Sequence, residues 1–209
     1  MTTRAMRRFT DEPVTDEQVL TCLRAAVQAP SGGNIQPYRF IVVKDVGIRT
    51  RLAEVYLRAW RRYSAAVRGP ALARMRSDEE RAAWERNVVA SDHLAEHLAE
   101  VPVLILVLMA DIEMLATDAV GVMDVGPTAA SVYPAVQNLV LAARAQGLGT
   151  TLTTVYRIHE DEVRAICEIP DRYRVAALLP LGHPTGRFGV APRRPAESIT
   201  SWDTFGQRS

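Results

Sequence analysis

The sequence predicts one domain that combines helices with strands buried on both faces. Two patterns carry this. Residues 38–43, 101–109 and 173–182 are apolar almost without a break, as strands covered on both sides are. The stretches around them repeat apolar residues at three- and four-residue spacing, as helices with one buried face do. The chain has 209 residues, 48% of them hydrophobic, which suits one domain, or one with elaborations, around a sizeable core.

Taken in order, Arg4, Arg7, Arg8 and Phe9 open the chain, three cations within five positions. Thr15 followed by Gln18 has the spacing of a capping box, and Val19, Leu20, Leu23, Ala26 and Val27 form an apolar face, so a helix is predicted over 16–28. Pro30 ends it. Ala29-Pro30-Ser31-Gly32-Gly33-Asn34 is a small-residue loop, and Gln36-Pro37 leads into the first strand. Its backbone N–H groups, hydroxyl and amide suit a ligand cradle; an ordinary glycine turn is the competing reading. Residues 48–100 are helical in propensity, rich in arginine and poor in core pattern. They read as an insertion over the main body, in three pieces, with a break at Gly69-Pro70. Tyr56, Trp60 and Tyr63 share one face of its first helix.

The second strand carries Pro102 at its start, where a missing donor is tolerated. Residues 111–124 read as a connector. A long apolar helix follows, with Val132, Val136, Leu139, Val140 and Ala143 on one face; Pro134 implies a start at Ser131 or a kink, and Gly147 stands where a left-handed cap belongs. Residues 149–155 are threonine-rich and extended, 159–168 form a short helix, and 173–182 the third strand. Residues 183–209 have no core pattern and must lie along something else.

The net charge of +1 argues against a nucleic-acid surface. Lys44 is the only lysine, so single arginines carry little weight in so arginine-rich a chain. Cys22 and Cys167 lack metal or redox spacing and suit buried thiols in a reducing cytosol. The first residues lack a signal peptide's apolar run, and 101–110 is too short to span a bilayer, so a cytoplasmic location without membrane contact is expected. His93 and His97 share a helix face but lack a third ligand or an HExxH context, so no metal is assigned. Walker A and G-x-G-x-x-G loops are absent, and Ser31 lacks a nucleophile elbow. Arg4, Arg7 and Arg8 could grip a phosphate, or form a solvated basic end. The same holds for Arg193-Arg194.

The order of these pieces is specific: R-x-x-R-R-F, a capped helix into A-P-S-G-G-N-x-Q-P-Y-x-F-x-V-V, an insertion, a buried helix with A-V-Q-N-L-V-L-A-A-R-A-Q-G-L-G, a Thr-rich segment, L-G-H-P, and a tail with R-R-P. It resembles the nitroreductase family of FMN-dependent oxidoreductases across nearly the whole chain except the insertion. The resemblance implies an α+β fold with a central, mostly antiparallel sheet between helical layers. It also implies an interwoven homodimer with FMN at the subunit interface and the tail wrapped on the partner. By position, Arg4, Arg7 and Arg8 match the N-terminal flavin-binding cations, Arg193 the C-terminal one, and Pro30, Ser31, Asn34 and Gln36 the loop that reaches flavin from the other subunit. Thr153 and Thr154 match the positions where the family places backbone donors near flavin N5. Ala5 departs from the serine many members carry.

The implied chemistry is hydride transfer from NADH or NADPH to flavin N5, then to an electron-poor acceptor such as a nitroaromatic or quinone, in a ping-pong sequence. No side chain is implied as an obligatory acid or base, so no catalytic residue is named. Tyr56, Trp60 and Tyr63 are expected to form a lid over the acceptor, or else to pack the insertion onto the core. The alternatives are a flavin-sequestering protein without useful turnover, and other chemistries on the same scaffold: reductive dehalogenation, flavin fragmentation or azoline oxidation.

Overall fold

A computed structural model describes residues 2–112, 115–124, 126 and 128–207. Helix α1 (Asp16–Ala26) starts at the expected capping box: Gln18 N donates to Thr15 Oγ1 at 3.2 Å and Thr15 N to Gln18 Oε1 at 2.9 Å. Strand β1 (Tyr38–Val43) follows the small-residue loop. Helix α2 (Val46–Arg74) is capped by Asp45, whose Oδ1 accepts from Ile48 N at 2.8 Å. It continues through Gly69 and Pro70, where a break was expected. Both residues are exposed, so the carbonyl that Pro70 leaves without a partner faces water rather than a dry interior. The chain turns at Met75 instead, and Ser77 Oγ accepts from Glu80 N at 3.1 Å to open helix α3 (Asp78–His97).

Strand β2 (Val103–Ala110) leads to a hairpin of β3 (Leu115–Thr117) and β4 (Val122–Asp124). The hairpin occupies the stretch read as a connector; its residues 113 and 114 lie outside the described residues, as do Met1 and the last two residues of the tail. Helix α4 (Ala129–Ala145) starts two residues before Ser131 and carries Pro134 inside. Gly147 then takes φ +77°, the left-handed conformation its position predicted. Strand β5 (Gly149–Thr150), helix α5 (Glu160–Ile166) and strand β6 (Tyr173–Gly182) complete the body. The threonine-rich segment is extended only in part, because a 3₁₀ turn begins at Val155.

The sheet runs β1-β2-β6-β5 with every pairing antiparallel. Alternation along β2 divides its side chains between two cores. Val103, Ile105 and Val107 meet α1 and α4, while Leu104, Leu106 and Leu108 meet α2, the end of α3 and α5. A bulge in β6 shifts the register between Val107 and Leu108, so Ala176 and Ala177 both join the α1–α4 core. The result is the α/β/α arrangement expected from the family resemblance.

Two expectations are corrected. Strand β1 is not buried on both faces: it is an edge strand, with Arg39 and Val42 exposed, and its apolar run does not reveal that no strand among the described residues pairs beyond it. The stretch 48–100 is not an insertion throughout. Leu52, Ala53, Val55, Tyr56 and Ala59 of α2 and Leu94, Ala95 and Leu98 near the end of α3 are buried, and most of them build the second core. Only the far ends of the two helices stand clear.

Candidate functional site

The N-terminal segment lies across the end of the sheet. Met6 N donates to Thr150 O at 3.0 Å, Thr10 N to His183 O at 2.8 Å, and Thr185 N to Arg8 O at 3.2 Å. Two glycines permit the approach. A Cβ on Gly149 would stand 2.9 Å from Met6 Cβ, and one on Gly182 would stand 3.1 Å from Phe9 Cδ1. Met6 is buried against the sheet, and the next residue, Arg7, points the other way.

Arg7 points into a cavity of about 350 Å³ whose wall includes Tyr56, Trp60, Tyr63, Thr153 and Thr154. Leu94, Leu152 and Ile158 add apolar surface to it, and no carboxylate lines it among the described residues. Burial pushes the Arg7 guanidinium below the ordinary arginine value; Tyr56 opposes the shift and the Arg4 cation adds to it. Burial likewise raises the Tyr56 phenol, against the nearby Thr153 hydroxyl and Arg7. Thr153 N donates to Leu178 O at 3.0 Å and so is not the free backbone donor expected there, while Thr153 Oγ1 is buried without a well-formed hydrogen bond despite the nearby Tyr56 hydroxyl. The neighbouring Thr150 Oγ1 is in the same state. A buried orphan hydroxyl beside a desolvated cation marks a place where a polar ligand gains more than it would at the surface. Among the described residues no ion pair reaches Arg4, Arg7, Arg8 or Arg193.

The three aromatic residues divide. Tyr56 is a buried part of the wall, 4% exposed, and belongs to the core. Trp60 and Tyr63 pack 5.9 Å apart further along α2, with Tyr63 46% exposed. Tyr56 thus packs α2 onto the body, and the two residues beyond it line the cavity. Ser91, Leu94, Leu152 and Ile158 also line the cavity, and no motif or spacing marks them.

Arg4 and Arg8 are exposed beside Arg7. Arg4 touches the tail near Gly189, where a Cβ would lie 3.6 Å from its Nη1. Arg193 is exposed and its Nη1 donates to its neighbour Pro192 O at 2.8 Å, so the single chain does not bring it into the cavity.

The small-residue loop is elsewhere. Tyr38 opens β1 opposite Met109, which pairs with Arg174, while Thr153 meets β6 at Leu178. Three strand spacings across and four residues along separate the loop from the cavity by about 20 Å. Most of its N–H groups are also engaged, not free as expected: Gly32 N bonds Ser131 Oγ at 3.1 Å, Gln36 N bonds Ser31 Oγ at 3.2 Å, and Asn34 and Ile35 bond carbonyls within the loop. Gly33, Asn34 and Gln36 all take positive φ, 55°, 55° and 45°. Gln36 Nε2 donates to Asn34 Oδ1 at 3.0 Å. The loop therefore offers exposed side chains at Pro30, Asn34 and Gln36 beside a half-buried Ser31, rather than a backbone cradle.

Elsewhere, the His93 and His97 rings lie 4.2 Å apart and His97 pairs with Glu100 at 2.9 Å. Among the described residues there is no group of three or more His, Cys, Asp or Glu side chains able to hold a metal ion, and no helix is long and apolar enough to cross a membrane.

Known proteins share this fold. The family model described as "Nitroreductase family" matches residues 1–183. An iodotyrosine deiodinase from Thermotoga neapolitana is 29% identical over 97% of this chain and 94% of its own. An FMN reductase [NAD(P)H] from Bacillus subtilis is 26% identical over 97% of this chain and 71% of its own. The crystal structure of oxidized iodotyrosine deiodinase bound to FMN and 3-iodo-L-tyrosine aligns with a TM-score of 0.73 at 26% identity, covering 98% of this chain and 96% of that one. With its match across the sheet, both helical layers and the arginine-bearing N-terminus, the chain belongs to the nitroreductase family and is an oxidoreductase.

Proposed function

We propose that the protein is an FMN-dependent oxidoreductase that takes reducing equivalents from NADH or NADPH and passes them to an electron-poor aromatic acceptor. One observation carries the reading: the desolvated Arg7 and the orphan Thr153 hydroxyl share a cavity walled by Trp60 and Tyr63. The residues fit FMN. Arg4, Arg7 and Arg8 supply cations for its phosphate, and Thr153 with Thr154 supplies donors for the ring edge. Bound FMN supplies the hydride chemistry in two half-reactions that use the donor and then the acceptor.

The side chains do the rest. Arg7 stabilises negative charge in a site where water screens it poorly. Leu94, Leu152, Ile158 and Trp60 offer apolar surface to an aromatic acceptor. Among the described residues the cavity wall holds no carboxylate or histidine, which suits a reaction in which the protein positions and tunes rather than transfers protons itself.

The loop residues Pro30, Ser31, Asn34 and Gln36 join this reading through a homodimer. Because about 20 Å separates them from Arg7 within one chain, only a second copy can bring them to the same FMN. The exposed Val190, Ile199, Trp202 and Phe205 of the tail supply the apolar surface such a partner would cover, and Arg193 would reach the phosphate from there. The far ends of α2 and α3 act as the lid.

The acceptor class has two readings. Nitroaromatic or quinone reduction suits the flat aromatic wall. Reductive dehalogenation of a phenol is favoured by the deiodinase relatives, which match nearly end to end. Purified protein should be yellow and bleach anaerobically with NADPH or NADH. Menadione, a nitrofuran and an iodophenol, added separately, then rank the acceptors by reoxidation rate. Protein that takes up no FMN refutes the proposal. Yellow protein that neither nicotinamide bleaches is a flavin store instead.

A further inference from the structure

Trp60 divides two cavities. It lines the one with Arg7 and also a second between α2 and α3, where Arg61, Ser64, Arg68, Asp92 and Glu96 gather. The indole has a definite orientation between them. Its Nε1 donates to Asp92 Oδ1 at 2.7 Å, and Arg68 Nη2 donates to both Asp92 oxygens at 2.8 and 2.7 Å. Asp92 lines only the second cavity, so the N–H edge of the indole faces away from the first. What remains toward Arg7 and Thr153 is ring surface, tilted against Tyr63.

We propose that Asp92 is a positioning residue: anchored by Arg68, its carboxylate holds the Trp60 indole so that ring surface, and no hydrogen-bond donor, faces the acceptor. The inference rests on the function proposed above. The chain Arg68–Asp92–Trp60 links α2 to α3 in one network of charge-assisted hydrogen bonds, which are short and directional. Without Asp92 the indole N–H loses its partner and the ring regains rotamers. Three χ1 wells and two χ2 orientations are open to a freed indole. If only one presents the wall, the acceptor binds weaker by the fraction of time spent in it, at most about sixfold.

The test compares the full-length protein with Asp92→Ala, Asp92→Asn and Trp60→Phe. Menadione is the planar acceptor, and ferricyanide, which needs no stacking, is the control. Asp92→Ala should raise the menadione KM about three- to sixfold with little change in kcat, and leave ferricyanide turnover as it was. Asp92→Asn keeps an oxygen for the indole and should fall between. In a Trp60→Phe background, which has no N–H to hold, Asp92→Ala should add nothing. A readout without turnover uses Trp84→Phe/Trp202→Phe protein, where Trp60 is the remaining tryptophan: acrylamide should quench it more strongly once Asp92 is alanine. Unchanged quenching overturns the proposal even if no acceptor is ever reduced, so the two readings fail separately. Equal loss of menadione and ferricyanide turnover together with a lower Tm also overturns it, since that is the signature of a helix tie alone.

Discussion

Removing the Arg7 guanidinium should separate flavin binding from folding. Among the described residues lining the cavity, Arg7 is the only cation; it is desolvated, and no carboxylate pairs with it. In the ligand-free protein that cation is a burden. Arg7→Ala should therefore leave the ligand-free Tm within about 2 °C of the parent, or raise it, since about 0.5–1 kcal/mol shifts the Tm of a chain this size by about that much. With FMN the sign reverses. A charge-assisted hydrogen bond contributes about 1.5–3 kcal/mol, so the FMN Kd should rise about 10- to 100-fold. At FMN equal to 100 times the parent Kd, binding adds about 2.7 kcal/mol to the parent and about 0.4–1.4 kcal/mol to the variant. The FMN-induced Tm rise should thus fall from about 5–11 °C to about 1–6 °C, at most about half the parental rise. Titration of flavin fluorescence gives Kd, and thermal melts with and without FMN give the two shifts. Arg7→Lys should fall between, because it keeps the charge but loses the fork. An unchanged FMN Kd, or a Tm loss of equal size with and without FMN, would refute the assignment.

Gly149→Ala should weaken FMN binding as well as stability, since its Cβ would meet Met6 Cβ at 2.9 Å and push the Arg7-bearing segment off the sheet; melts and flavin titration on one sample separate the effects. Ser31→Ala and Asn34→Ala should each lower the flavin-to-protein ratio after gel filtration while the circular dichroism spectrum stays as in the parent. Mixed dimers of Arg7→Ala and Asn34→Ala chains should regain about half the parental flavin, because one site of each hybrid is then intact; no recovery would place both residues in one chain's site. Cys22 and Cys167 are both pushed up to about 11 by burial, from an ordinary value near 9.0. Their thiolate fraction at neutral pH is therefore small, and iodoacetamide should label the native protein far more slowly than the unfolded chain, as mass spectrometry would read.

Much of this was legible in the sequence because it is local. The capping box at Thr15 and Gln18, the left-handed Gly147 and the apolar runs of β2 and β6 each depend on residues a few positions apart. The order of motifs was enough to indicate the family and its α+β fold. Tyr56, Trp60 and Tyr63 also face the same cavity, as their helical spacing required.

What the tertiary structure decided is non-local. Strand order made β1 an edge, although its composition matches that of a buried strand. The same order set the loop at Ser31 and Asn34 diagonally across the sheet from the cavity that Arg7 lines, a separation that the spacing of motifs along the chain does not record. Packing divided 48–100 into core-building bases and a free end, since sparse apolar residues at Leu52, Leu94 and Leu98 suffice when they converge on one sheet face. Asp92 became legible only once α2 and α3 lay side by side, 32 residues from the indole it holds. Periodicity reports which face of an element avoids water; it carries no record of what that face, or its hydrogen-bonding edge, will meet.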